Sequence, residues 1–155
     1  MDKQRLTELA EIARRVRVGI IEAVYSASSG HPGGSLSIAD IITYLYFEEM
    51  NIDPQNPKCK TRDRFVLSKG HTAPALYAAL AEKGFFDKDI LKTLRKFGSI
   101  IQVHPDMKHI PGVDMSSGSL GQGISAAVGM ALAAKLDGKD FRTYAMLGDG
   151  EIQEG

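Results

Sequence analysis

Two short apolar runs bounded by polar residues constrain this chain more than any other feature: RFVLS at Arg64–Ser68 and FRTYAML at Phe141–Leu147. Each has the length and the β-branched and aromatic content of a strand. The segments between them carry helical spacing. Strands separated by helices pair in parallel through right-handed crossovers, which predicts an α/β fold: a parallel sheet with helices on both faces. Two strands are few for a doubly wound sheet, so the domain is expected to be incomplete on its C-terminal side.

The helical segments follow from apolar periodicity. Leu6, Leu9, Ala13, Val16, Ile20 and Val24 predict a helix from about Leu6 to Ser26, with Arg14, Arg15 and Arg17 largely off that face. The small residues of SASSGHPGGS are expected to break it. A second helix fits Ser37–Met50, with Ser37 as N-cap and Asp40 three residues on. NIDPQNPKCKTRD reads as loop. Further helices are expected at about Ala73–Lys83, Asp87–Lys96 and Leu120–Leu136, the last through Leu120, Ile124, Val128 and Leu132. The stretch from His104 to Gly123, HPDMKHIPGVDMSSGSLGQG, is Gly/Pro-rich and aperiodic, and a loop of that length usually carries function.

With 155 residues the chain has the size of one domain, and 43% hydrophobic and 25% charged residues are a globular composition. The 19 basic and 19 acidic residues cancel, which argues against nucleic acid or an anionic membrane as partner. The charged N-terminus lacks the apolar core of a signal peptide, and no apolar run approaches a membrane span. A soluble, cytoplasmic protein is expected. The one cysteine, Cys59, fits a reducing compartment. Its neighbours Lys58 and Lys60 would lower its thiol pKa, although an incidental loop cysteine is the plainer reading.

Ligands of open α/β sheets bind outside the carboxyl ends of the strands. The first strand leads into Lys69, Gly70 and His71, the second into Gly148, Asp149 and Gly150. The GDG triplet begins like a dinucleotide fingerprint, but Gln153 stands where the third glycine belongs. A carboxylate would also repel a pyrophosphate. A hard cation between the two removes the conflict, since Mg²⁺ takes carboxylate and phosphate oxygens together. The same residues also suit a plain strand-to-helix turn capped by Asp149. His31 lies in the glycine-rich SSGHPGGSLS, and His71 and His104 follow strand-like stretches. Their spacing disfavours metal ligation, whereas three loop histidines near an anion site suit donors to a polyhydroxylated or phosphorylated ligand. His109 reads as surface. GQGISA (Gly121–Ala126) fits G-x-G-x-x-A only weakly. The small residues from Gly123 to Ala134 form a nearly side-chain-free helix surface, suited to packing on the domain's own sheet or to a subunit contact.

Taken together, SSGHPGGSLS, LSKGHTAPALYAALAEKG, HPDMKHIPGVDMSSGSLGQGISAAVGMA and GDGEIQEG resemble the N-terminal part of transketolase. They stand in family order from about residue 10 onward. Transketolases are thiamine-diphosphate enzymes that move two-carbon ketol units between sugar phosphates, and the likeness is strongest to the N-terminal subunit of the split form. The resemblance implies that residues 1–155 are the N-terminal portion of the diphosphate-binding domain. It implies His71 and Gly150 as contacts to the cofactor diphosphate, and Gly118, Ser119 and Leu120 as the segment holding its aminopyrimidine. It implies Asp149 as a ligand of Mg²⁺ (or Ca²⁺). His31 and His104 would face the substrate and assist proton transfer, and Glu154 would lie at a dimer interface. The chemistry is that of the cofactor's ylid, with the protein supplying orientation and proton transfers.

Some family features are not in this sequence. The family's metal motif continues from GDG to an Asn roughly thirty residues downstream, and Gly155 precedes it. The pyrimidine-binding domain, its activating glutamate and the basic residues that grip sugar phosphate are likewise elsewhere. Val103 replaces the glycine often found before the His-Pro pair, which bears on the placement of His104. A C-terminal subunit or domain is therefore the expected partner, in a homo- or hetero-oligomer, and the 155 residues alone are expected to be inactive. The competing readings are a non-catalytic assembly or regulatory module, a deoxyxylulose-phosphate-synthase-like enzyme and a nicotinamide-nucleotide binder. The first would act through the small-residue helix and Glu154. The second is disfavoured by the wording of SSGHPGG and GDGEIQEG, and the third by Asp149 and Gln153.

Overall fold

Helix α1 (Lys3–Ala27) lies across the molecule in a computed structural model that describes residues 1–155. It starts earlier than apolar spacing suggests because the Asp2 carboxylate accepts from the Arg5 amide at 2.8 Å and caps the first turn. It stops at Ser28, which adopts the left-handed conformation at φ 47°. Leu9, Ala13, Val16, Ile20 and Ala23 are buried, while Leu6 is exposed and Val24 half-buried. The buried stripe thus ends on Ala23 rather than Val24.

The segment expected as a helix from Ser37 to Met50 is helical over 39–49, and a separate short helix precedes it. Helix α2 (Pro32–Leu36) forms within the glycine-rich stretch whose composition signals a break. Pro32 at its first position has φ already set and lacks only an N–H that would have no partner there, and the His31 carbonyl accepts from Ser35 N and Oγ at 3.2 and 2.8 Å. Ser37 is no N-cap: its hydroxyl donates to the Gly34 carbonyl. Helix α3 (Ala39–Tyr44) then runs into a π-helical turn over Leu45–Glu49.

Strand β1 (Arg64–Leu67) is followed by a 3₁₀ turn at Gly70–Thr72 and helix α4 (Ala73–Lys83). The expected helix at Asp87–Lys96 is a 3₁₀ segment, Lys88–Thr93, capped by Asp87 and ended by Arg95 at φ 63°. No helix or strand lies between it and helix α5 (Gly123–Leu136). Strand β2 (Thr143–Met146) completes the sheet.

The two strands pair in parallel, Arg64 opposite Thr143 and Leu67 opposite Met146. Pleat alternation sends Phe65 and Leu67 to one face, into a core with Val16, Ile20, Ile42, Tyr46, Tyr77 and Leu80. Burial of each such side chain stabilises by roughly 1.5–3 kcal/mol. Helix α5 covers the opposite face of both strands, so the predicted α/β architecture, a parallel sheet with helices on both faces, is observed.

Helix α5 packs the other way round from its apolar spacing. Gly123, Ala127 and Ala134 are buried, whereas Val128 and Leu132 are 51% and 56% exposed. At Gly123 the end of β1 lies too close for any side chain, since a Cβ would stand 2.6 Å from Ser68 Cα. Of the two readings of the small-residue surface, packing on the domain's own sheet is the one observed for Gly123, Ala127 and Ala134.

Candidate functional site

The carboxyl ends of both strands open on one cavity of about 620 Å³, lined by Gly33, Gly34, Ser37, Lys69, His71, Leu120, Gly148, Asp149, Gly150, Glu151 and Glu154. These residues come from four segments separate in sequence, α2 with Ser37 after it, the turn after β1, Leu120 ahead of α5, and the turn after β2. Close approach of these segments depends on glycine. A Cβ on Gly34 would meet Thr72 Cγ2 at 2.7 Å, and one on Gly70 would meet the Ser117 carbonyl carbon at 2.8 Å.

His31 precedes α2 and is exposed; its ring meets that of His71 edge-on with centroids 5.0 Å apart. His71 sits in the 3₁₀ turn after β1. Burial holds its imidazole below the ordinary histidine range, reinforced by His31 and the Lys69 ammonium. Lys69 is nearly buried, and its Nζ donates to the Gly34 carbonyl at 3.2 Å and to Ser37 Oγ at 3.4 Å. Burial lowers its pKa against the pull of Asp149 and Glu151.

His104 lies in the irregular segment before α5, outside the cavity lining, with its ring against Gly118: a Cβ there would stand 3.2 Å from the ring carbons. Leu120 lines the cavity and Ser119 is exposed beside it. Gly121, at φ 79°, faces Glu154, whose Cβ would be 2.9 Å from one on the glycine. Asp149 and Gly150 are exposed at the cavity rim.

Asp149 does not cap a helix. The turn at Glu151–Gln153 begins at Gly150 without a side-chain cap, and the Asp149 carboxylate accepts no hydrogen bond within the chain. Its oxygens are free for an oxygen-seeking cation. No group of three or more His, Cys, Asp or Glu side chains is placed to hold a metal ion, so such a cation would need further oxygens. A free carboxylate beside an ammonium and an imidazole fits a cation–diphosphate pair: the carboxylate for the metal, the nitrogen donors for phosphate oxygens.

Glu151 is a site residue that sequence reasoning misses. The residue is 4% exposed, and its carboxylate accepts from Ser68 Oγ, Gly121 N and Gly148 N at 2.6, 3.0 and 2.9 Å. Burial pushes its carboxyl up, but these donors outweigh it and hold the pKa below the usual value. A usable signal exists: an acid three residues after Gly148 can reach back to that amide, as the glutamate of a capping box does.

Cys59 lies far from this cavity, in a loop beside Arg62, Arg64 and His109. Its thiol pKa is lowered, but by the Thr61 hydroxyl and amide with help from Arg64 rather than by Lys58 and Lys60.

Parallel strands whose carboxyl ends open on a polar, glycine-built crevice define the ligand-binding α/β class of domain. Within that class, the profile of the family described as "Transketolase, thiamine diphosphate binding domain" matches residues 9–155. The chain belongs to this transketolase family. It is 49% identical over 155 residues to the 6-deoxy-6-sulfo-D-fructose transketolase subunit SqwG of a Clostridium species, covering 100% of this chain and 56% of that protein. It is 48% identical over 139 residues to one subunit of the apulose-4-phosphate transketolase of Phocaeicola vulgatus, covering 90% of this chain and 49% of that one. The crystal structure of transketolase from Campylobacter jejuni superposes with a TM-score of 0.89 at 36% identity, over 100% of this chain and 25% of that chain. The chain thus spans about half the length of the Clostridium and Phocaeicola proteins. No helix is long and apolar enough to cross a membrane.

Proposed function

We propose that residues 1–155 form the N-terminal portion of a diphosphate-binding domain that contributes the metal-and-diphosphate half of a transketolase site. The observation that supports this most is the convergence of His71, Lys69, Leu120, Asp149 and Gly150 on one cavity at the strand ends. Asp149 would be one ligand of Mg²⁺ (or Ca²⁺). His71 and the Gly150 backbone would hold the diphosphate, and Gly118, Ser119 and Leu120 the aminopyrimidine.

When bound, thiamine diphosphate supplies the nucleophilic carbon that moves a two-carbon ketol unit between sugar phosphates. The chain's own residues do the rest. His31, exposed beside the His71 ring, and His104, against Gly118, would hold and move protons at substrate hydroxyls. His71 enters the ligand site largely neutral, able to donate from one ring nitrogen. Glu154, packed beside Gly121, would meet a partner at the interface. That partner is a C-terminal subunit or domain carrying the pyrimidine-binding half, as the names of the two split relatives suggest. The assembly would work in the cytoplasm, and without the partner this portion would be inactive.

Calorimetric titration with thiamine diphosphate tests the reading. Micromolar binding that requires Mg²⁺, and that loses its Mg²⁺ dependence in Asp149→Asn, is expected. Equal binding with and without Mg²⁺ would refute the role of Asp149. No binding, together with co-purification of a partner, would instead support a non-catalytic assembly module. Ketol transfer by the isolated 155 residues would overturn the need for a partner.

A further inference from the structure

We propose that Glu151 is a positioning residue that sets the separation between the metal-binding turn and the loop facing it across the cofactor crevice. This rests on reading the crevice as a thiamine-diphosphate site. Its carboxylate joins three segments far apart in sequence. Oε1 accepts from Ser68 Oγ at the end of β1 and from the Gly121 amide ahead of α5, while Oε2 accepts from the Gly148 amide after β2. Gly148 immediately precedes Asp149, and Gly121 immediately follows Leu120. One side chain therefore fixes the backbone next to the proposed metal ligand and the backbone next to the proposed aminopyrimidine contact.

The chemistry of the contact supports this role over space filling. Glu151 is buried and has no Lys, Arg or His nitrogen within ion-pair distance. A buried carboxylate without an ion-pair partner is costly, and an apolar side chain would occupy the same volume more cheaply. An ionised carboxylate, unlike an amide, can accept at both oxygens from N–H and O–H donors that converge from different directions. Gln at this position would keep one accepting oxygen but set its own N–H₂ against an N–H. The separation of Leu120 and Asp149 is then no longer held from both sides.

The test uses the native full-length polypeptide, together with its partner subunit where the two purify as a complex. Four proteins are compared: wild type, Glu151→Gln, Ser68→Ala and the remote core variant Ile20→Val. Thiamine diphosphate affinity is read by calorimetry at saturating Mg²⁺, and exchange of the Gly121 and Gly148 amides is read without cofactor. Glu151→Gln is expected to bind about ten-fold more weakly, which corresponds to about 1.4 kcal/mol. Ser68→Ala should bind a few-fold more weakly and Ile20→Val like wild type. Exchange at Gly148 should accelerate in Glu151→Gln alone. Wild-type affinity in Glu151→Gln, or a loss no larger than that of a core variant equally destabilised, overturns the inference. If Glu151→Gln does not fold, Ser68→Ala decides, and unchanged affinity there overturns it. Failure of the wild type to bind thiamine diphosphate overturns the functional reading itself, and with it this inference.

Discussion

Gly123 packs directly on Ser68: a Cβ at position 123 would stand 2.5 Å from Ser68 Oγ and 2.6 Å from Ser68 Cα. This contact brings the first turn of α5 against the end of β1 and so closes one side of the crevice. The obstacle includes backbone, which cannot rotate away. Gly123→Ala is expected to destabilise the fold by about 1–3 kcal/mol, measured by urea unfolding. An unchanged midpoint would show that α5 can slide on the sheet.

Asp114 holds the irregular segment to the start of β1. Its carboxylate accepts from both terminal nitrogens of Arg62, at 3.1 and 2.5 Å, and from the Phe65 amide at 2.9 Å. Both partners of the ion pair are buried. Asp114→Ala leaves a buried guanidinium uncompensated, and a loss of about 3–5 kcal/mol is expected. Arg62→Met together with Asp114→Leu should recover much of it; thermal unfolding of the single and double variants distinguishes the two.

Glu82 accepts from Arg15 Nε at 2.9 Å and pairs with Lys88 Nζ at 2.6 Å. Burial pushes its carboxyl up, but the two cations prevail and hold it below the usual value. Its stabilising contribution is therefore present above the unfolded-state pKa of about 4.3 and lost as pH falls through the lower folded-state value. Arg15 and Lys88 are more than a third exposed, so screening keeps the contribution near 1 kcal/mol. Glu82→Gln should be less stable than wild type by about that amount at pH 7. The two unfolding curves should converge in strong acid, and a gap that persists there would disprove the charge origin.

The fold opposes protonation of His71, through burial first and then His31 and Lys69. The unfolded chain consequently takes up this proton at higher pH, and stability falls as pH drops through about 6.5. An NMR titration should place the His71 midpoint below the ordinary value. His31→Asn should move it upward by removing the neighbouring ring, and a midpoint that does not move would leave burial and Lys69 as the causes.

Much of the site is legible in the chain. Asp149 between two glycines after a strand, His71 after the other strand and Leu120 in an aperiodic loop can be named from spacing and likeness, and they share one cavity. Only the local half of the Glu151 contact, its reach back to Gly148, has a sequence signal; the rest lies in Ser68 and Gly121, contacts 83 and 30 residues away in sequence. The short helix at Pro32–Leu36 is also hidden: Pro32 starts it inside a run whose composition otherwise signals a break.

The parallel α/β plan follows from the order of residues alone, because two apolar runs separated by helical periodicity have few ways to pair. So do the residue types that stand at the strand ends. Which side of α5 turns inward is different, and is settled by packing in three dimensions. Apolar spacing through Val128 and Leu132 marks a face that is exposed, while Gly123 and Ala127 lie on the sheet. Periodicity records where apolar side chains recur along one helix. The distance to the neighbouring backbone decides which of those faces can approach it, and here only the face without side-chain bulk fits.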